Sequence, residues 1–233
     1  MYEKDKRAII DTALEIKHYG LIQLAGGNVS VRKENGDIVL TPSGTYYDTM
    51  RVEDVLVLNA DGEVIEGELK PSVDTVALKY IYDHLKDVNA IIHTHQPYAT
   101  AIGLIQDEFP ACSTTLCNVT LGPVSVAPYS SPASINMGIQ TVDYLNGKRA
   151  VILKHHGVVT VGQTLKEAMY AAIYMEDAAK CYLAAKAAGD VAVMSDDEIE
   201  AAVETFKWVG QDDSVTQAAV EALKWAREED EAG

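Results

Sequence analysis

Six histidines occur in the chain, and their spacing suggests chemistry at two places. His93 and His95 stand at i and i+2 in Ala90-Ile-Ile-His-Thr-His, whose apolar, β-branched start reads as a buried strand. Side chains two apart on a strand leave the same face, so two imidazoles can reach one metal ion. A third ligand must come from elsewhere in the fold. His155-His156-Gly157, a turn between two apolar segments, offers imidazoles beside a glycine that lets backbone approach closely. Three histidine ligands leave positions open for a substrate oxygen, as a catalytic metal site requires. The other two read as bystanders: His18 closes the first helix, where a cation suits the dipole, and His84 lies on a helix surface.

Three further segments combine glycine or proline with hydroxyl groups: Ala25-Gly-Gly-Asn-Val-Ser30, Thr41-Pro-Ser-Gly-Thr45 and Lys70-Pro-Ser-Val-Asp74. Such loops can cradle a phosphate through backbone N–H groups. Pro71-Ser72 also precedes a helix, whose N-terminus favours anions. Asp74, at that helix start, reads equally as an N-terminal stabiliser. A local anion site is needed because Lys plus Arg total 19 against 35 Asp plus Glu, a formal charge of −16. That field disfavours nucleic acid and anionic membranes and leaves a small molecule as the expected partner.

The positioning elements follow from periodicity and turn chemistry. A helix is expected over residues 4–19, hairpins around Asn35-Gly36 and Asp61-Gly62, and a helix over 73–86. After the strand bearing His93, Pro97 opens a helix to about Ile105. Strands are expected at 124–127, 150–153 and 158–161, and a helix from Ser131-Pro132 to Asn146-Gly147. A long alanine-rich helix covers 165–187, Ser195 to Glu198 form a capping box, and an amphipathic helix covers 213–228. Two hairpins among alternating strands and helices argue for a largely antiparallel sheet with helices on its faces. No repeat or long linker divides residues 1–233, so one domain is expected. An apolar content of 48% fits a globular protein, and the longest apolar runs, such as Val55–Leu58, suit strands rather than membrane spans. The charged start Met1–Arg7 lacks the apolar stretch of a signal peptide, and Cys112, Cys117 and Cys181 read as free thiols in a reducing cytoplasm.

Taken in order, Gly-Gly-Asn-Val-Ser at 26–30, Thr-Pro-Ser-Gly at 41–44, Lys-Pro-Ser at 70–72, His-Thr-His at 93–95 and His-His-Gly at 155–157 resemble the class II aldolase/adducin family. Within it they resemble the fuculose-1-phosphate aldolases and ribulose-5-phosphate 4-epimerases. The resemblance runs from about residue 6 to 210 and leaves an acidic helical extension at 211–233. It implies a three-layer αβα domain with a mainly antiparallel central sheet, in a homotetramer with active sites at subunit interfaces. It places His93, His95 and His156 as ligands of one divalent ion per subunit, with His155 a neighbour. Zinc suits three imidazoles first, with cobalt, manganese and nickel as alternatives. It places Asn28, Ser43, Gly44 and Ser72 at the substrate phosphate, and Asp74 beside the metal as the group that moves protons. The implied chemistry is an enediolate formed as a C–C bond breaks; the aldehyde then leaves in an aldolase and is re-attacked on its other face in an epimerase.

Departures from the family pattern order the expectations. Asp74 and Thr114-Thr115 resemble the epimerases, but Asn118 stands where they carry a catalytic Asp, and an amide cannot take up a proton. The first expectation is an aldolase that splits a fuculose-1-phosphate-like ketose 1-phosphate into dihydroxyacetone phosphate and a small aldehyde. The second is a ribulose-5-phosphate 4-epimerase; a family dehydratase or decarboxylase, or a non-catalytic adducin-like protein, follows behind. Thr114 replaces one tyrosine of the aldolases, and Phe206–Gly210 carries Trp208 where a second phenol is usual, which leaves Tyr46 and Tyr47 as candidate proton donors. Val73 removes a hydroxyl from the phosphate side. A Schiff-base role for Lys154 would require its burial.

Overall fold

Both glycine turns make hairpins. β1 (Asn28–Arg32) pairs antiparallel with β2 (Ile38–Leu40), and β3 (Leu56–Leu58) with β4 (Val64–Glu66). Gly36 and Gly62 each take a φ of 90°, which explains the Asn-Gly and Asp-Gly sequences there. The structure, a computed structural model, describes residues 1–206. β1 also pairs with β5 (Ala90–Thr94), which pairs with β9 (Gly157–Gly162), which pairs with β8 (Ala150–Leu153), all antiparallel. β7 (Val124–Ala127) joins β8 in parallel, and β6 (Glu108–Phe109) closes the edge. The sheet order is β4-β3-β2-β1-β5-β9-β8-β7-β6, mainly antiparallel as expected.

Alternating side chains distribute the helices over two faces. Ile91, Val159, Leu40 and Leu58 meet α2 (Thr75–His84) and α5 (Ile135–Leu145). Their neighbours Val29, Val57, Ala90 and Ile92 meet α1 (Glu3–His18) and α6 (Leu165–Ala188). Farther along that second face, Val126, Ala150, Ile152 and Val158 pack under α3 (Pro97–Ile105), α4 (Thr114–Thr120) and α6. This is the three-layer αβα arrangement. Each fully buried Leu or Ile contributes roughly 1.5–3 kcal/mol, so both helical layers are needed to hold the sheet.

Three elements differ from the sequence expectation. α5 starts at Ile135 rather than at Pro132, because Ala133 is left-handed (φ 59°) and gives its N–H to the Asp74 carboxylate. A tertiary bond therefore delays the helix. β6 has two residues and α4 seven, too short for periodicity to reveal; Ser113 caps α4 by accepting from Leu116 N–H at 3.3 Å. The capping box before α7 (Asp196–Phe206) is present in both directions, Ser195 N–H to Glu198 at 2.8 Å and Glu198 N–H to Ser195 Oγ at 3.3 Å. Trp208, the 213–228 helix and the 211–233 extension lie outside the described residues. Among those described, no helix is long and apolar enough to cross a membrane.

Candidate metal centre

His93, in β5, is 1% exposed and lies opposite Asn28 on β1 and Val159 on β9. The β5 ladder stops at Thr94, so His95 stands just past the strand, exposed at its rim. Its ring still joins the face of His93: the centroids are 4.9 Å apart and the two Nε2 atoms 3.2 Å apart. His156 arrives from the β8–β9 hairpin. Leu153 pairs with Gly157 across the turn, His156 N–H donates to the Leu153 carbonyl at 3.0 Å, and His155 takes a left-handed φ of 61°. That turn places the His156 ring 4.7 Å from His93 and 5.2 Å from His95. His155 points outward, its ring 6.5 Å from that of Tyr129. One ligand nitrogen from each of His93, His95 and His156 lies within 4.8 Å of the others.

Two glycines make this approach possible. A Cβ at Gly157 would collide with the Thr94 carbonyl oxygen and stand 3.1 Å from His95 Cδ2. One at Gly27, whose φ is 88°, would collide with the His93 carbonyl oxygen. The His-Gly and Gly-Gly pairs are thus packing requirements of the histidine cluster.

The electrostatics suit a cation. His93 Nδ1 lies 2.9 Å from the Val158 carbonyl; as donor there, it keeps its proton on Nδ1 and turns the Nε2 lone pair toward the cluster. Burial, reinforced by His156 and His95, pulls the His93 pKa from 6.5 to about 3. Partial burial also lowers His95 and His156, and in both the negative charge of Asp74 opposes the shift. Neutral imidazole is the form that ligates metal. His156 Nδ1 is buried and has no hydrogen-bond partner. Three converging imidazoles, with a buried ring nitrogen of His156 left unpaired, fit a single divalent ion.

Asp74 sits at the N-cap of α2 but makes no side-chain cap. Its carboxylate, buried, accepts from Asn28 Nδ2 at 3.0 Å and from Ala133 N–H at 3.2 Å. Asn28 Nδ2 also reaches Ser72 Oγ (3.3 Å), which accepts the Asp74 N–H at the same distance. Asn28 Oδ1 is buried without a partner. Asn28, Ser72 and Asp74 therefore form one network beside His93. The second loop docks on the third: Pro42 bridges Pro71, and Ser43 N–H donates to the Lys70 carbonyl at 2.9 Å. Ser43 and Gly44 (φ 68°) are exposed beside Ser72, with the Ser43 hydroxyl rather than its N–H left for a ligand. Val73 is 63% exposed between Ser72 and Asp74.

Other expectations fare differently. Tyr47 is buried and donates to the Gly27 carbonyl at 2.9 Å; burial pushes its phenol up to about 12, so it props the glycine turn and is a poor proton donor. Tyr47→Phe should lower stability by roughly 1–3 kcal/mol through the stranded carbonyl and leave kcat within a few-fold; denaturant unfolding and steady-state kinetics check both. Tyr46, 52% exposed in the same loop, remains. Lys154 pairs with Asp107 at 2.8 Å near the surface, contrary to the burial a Schiff-base lysine needs. In the amide orientation that pairs nitrogen with oxygen, Asn118 Nδ2 donates to the carbonyls of Ala202 (2.7 Å) and Thr114 (2.9 Å), tying α4 to α7. Sequence reasoning missed the Ala133 N–H, a backbone contribution without a side-chain signal. It also missed Gln96, which follows His95 in the chain, and Glu176 of α6, which accepts from the N–H groups of Tyr98 and Ala99; Glu176 in an alanine-rich helix reads as a surface acid.

Comparison with known proteins agrees with this geometry. The family model for the class II aldolase and adducin N-terminal domain matches residues 7–183. A 5-deoxy-D-ribulose 1-phosphate aldolase from Bacillus thuringiensis serovar kurstaki is 33% identical over 213 residues, covering 91% of this chain and 99% of the relative. An L-ribulose-5-phosphate 4-epimerase from Salmonella paratyphi C is 30% identical over 190 residues, covering 76% of this chain and 83% of the relative. The solved structure of an L-fuculose 1-phosphate aldolase superposes with a TM-score of 0.82 at 31% identity, covering 87% of this chain and 95% of that one. With its motifs on one site and its fold shared, the chain belongs to the class II aldolase and adducin family.

Proposed function

We propose that the chain is a metal-dependent aldolase that cleaves a ketose 1-phosphate into dihydroxyacetone phosphate and a small aldehyde. The observation that carries this reading is the convergence of three neutral imidazoles beside a buried carboxylate fixed by Asn28 and Ala133. His93, His95 and His156 would hold one divalent ion, zinc first and cobalt, manganese or nickel next. When bound, such an ion supplies Lewis-acid stabilisation of negative charge on substrate oxygen. The chain's own groups do the rest. The Ser43 and Ser72 hydroxyls and Asn28 hold the phosphate, with Gly44 giving the loop its turn and the start of α2 favouring the anion. Asp74 gives a proton to the carbon left by C–C cleavage and takes it back in the reverse direction, while a separate group on the aldehyde side takes up the hydroxyl proton.

Among the described residues no tyrosine hydroxyl hydrogen-bonds to the cluster, so a donor for the aldehyde oxygen would come from Tyr46 or a neighbouring chain. A homotetramer with sites at subunit contacts, in the cytoplasm where Cys112, Cys117 and Cys181 stay free, completes the reading. Asn118, engaged between α4 and α7, supports the aldolase over the epimerase.

Two assays on metal-loaded protein test this. One follows dihydroxyacetone phosphate release from fuculose 1-phosphate and 5-deoxyribulose 1-phosphate; the other follows interconversion of ribulose 5-phosphate and xylulose 5-phosphate. Chelator-sensitive release is expected. Interconversion without cleavage would replace the aldolase with an epimerase that works without an Asp at 118.

A further inference from the structure

His93 is fixed by the strand ladder and His156 by a hairpin turn, but His95 is held by neither. It stands in the two-residue link His95-Gln96 between the end of β5 and the start of α3. Whatever anchors the first turn of α3 therefore sets where the His95 imidazole lies. That turn begins with amide groups that no helical carbonyl can satisfy. Pro97 has no N–H to offer. Gln96, at the N-cap position, does not cap; its buried side chain accepts from Thr94 Oγ1 at 2.6 Å and donates to the Ala172 carbonyl of α6 at 3.3 Å. The next two N–H groups, of Tyr98 and Ala99, donate instead to the two carboxylate oxygens of Glu176 in the middle of α6, at 3.0 and 2.9 Å.

Glu176 is 2% exposed. Burial raises its pKa, and the two N–H bonds oppose that shift. A buried carboxylate is a costly way to cap a helix, since a serine or aspartate at position 96 would do it locally. What the local cap would not provide is a tie between α6 and the residue following His95. Gln96, through its bond to the Ala172 carbonyl, and Glu176, through the Tyr98 and Ala99 N–H groups, both tie this segment to α6.

We propose that Glu176 is a positioning residue for His95, holding the first turn of α3 so that the imidazole stays on the face of His93 and His156. The inference rests on the reading of these three histidines as metal ligands. Glu176→Gln keeps the volume and one acceptor oxygen but turns an NH2 toward the other amide, which loosens the turn without opening a cavity.

Titration of metal-free wild type and Glu176→Gln with Co²⁺, followed by d–d absorption and paired with denaturant unfolding, tests it. The variant should bind Co²⁺ about 10- to 100-fold more weakly, the usual scale for groups that orient ligands, with an altered d–d band, and Glu176→Asp should recover part of the loss. A Kd within about twofold of wild type and the same band would overturn the proposal, leaving Glu176 a cap only. Should Glu176→Gln fail to fold, amide exchange in the wild type decides: Co²⁺ saturation should slow exchange at Tyr98 and Ala99 more than in α5, because coupling is reciprocal. Unchanged exchange at those two amides would overturn it. Wild type that binds no Co²⁺ would remove the metal reading and this inference together; equal binding by wild type and variant removes the inference alone.

Discussion

His95→Ala is expected to abolish divalent-metal binding and turnover while leaving the fold intact. Among the three histidines it is the informative choice. His93 is buried within β5 and bonded to the Val158 carbonyl, so its truncation would open a cavity and strand an acceptor. His156 belongs to the turn that joins β8 and β9, where a change disturbs the hairpin as well. His95 is exposed and follows the strand's last ladder pair, and its ring adds little to the core. Two imidazoles alone bind a divalent ion weakly, so the loss should exceed the roughly 10- to 100-fold typical of supporting residues. Metal titration, thermal unfolding and turnover measured together check this. Full activity in the variant after exhaustive chelation would sink the metal hypothesis.

His95 also shows how much of the site was legible in the sequence. Its i, i+2 relation to His93 announced a shared face, and the face is shared although the strand ends one residue before it. The hairpins at Asn35-Gly36 and Asp61-Gly62 and the Pro97 helix start were legible because each rests on one local backbone preference. The choice between His155 and His156 was not legible from spacing alone. It depends on the left-handed φ of His155, which turns one ring out and the other in, and only the family resemblance anticipated it. Asp74 was ambiguous for the same reason. A helix start invites a capping reading, and what excludes a side-chain cap is Asn28 and Ala133, 46 and 59 residues away. Long-range hydrogen bonds leave no local trace in composition or periodicity. The delayed start of α5 was missed for that reason too, since Ser131-Pro132 is a valid helix opening until Ala133 gives its N–H to Asp74.

Those contacts make Asp74→Asn the second decisive substitution. The new amide keeps an oxygen for the Ala133 N–H. Its NH2 would face the Asn28 NH2, but Asn28 Oδ1 is without a partner, so a rotation of the Asn28 amide restores a donor–acceptor pair. Ser72 Oγ, a hydroxyl, can donate as well as accept and follows that rotation. The fold and the phosphate network should therefore survive, and metal binding should be kept because no histidine ligand is touched. What is lost is the ability to take up a proton. The expected cost is about two to four orders of magnitude in kcat, the scale of a general acid–base group, or roughly 3–5 kcal/mol of barrier. Exchange of a carbon-bound proton of dihydroxyacetone phosphate with solvent deuterium isolates this step from aldehyde chemistry, and it should fall in parallel with turnover. An unchanged exchange rate, accompanied by a stability loss of about 0.5–2 kcal/mol, would return Asp74 to a structural role at the start of α2. In that case the proton would have to move through another group on the same face, with the Tyr46 hydroxyl the first to test.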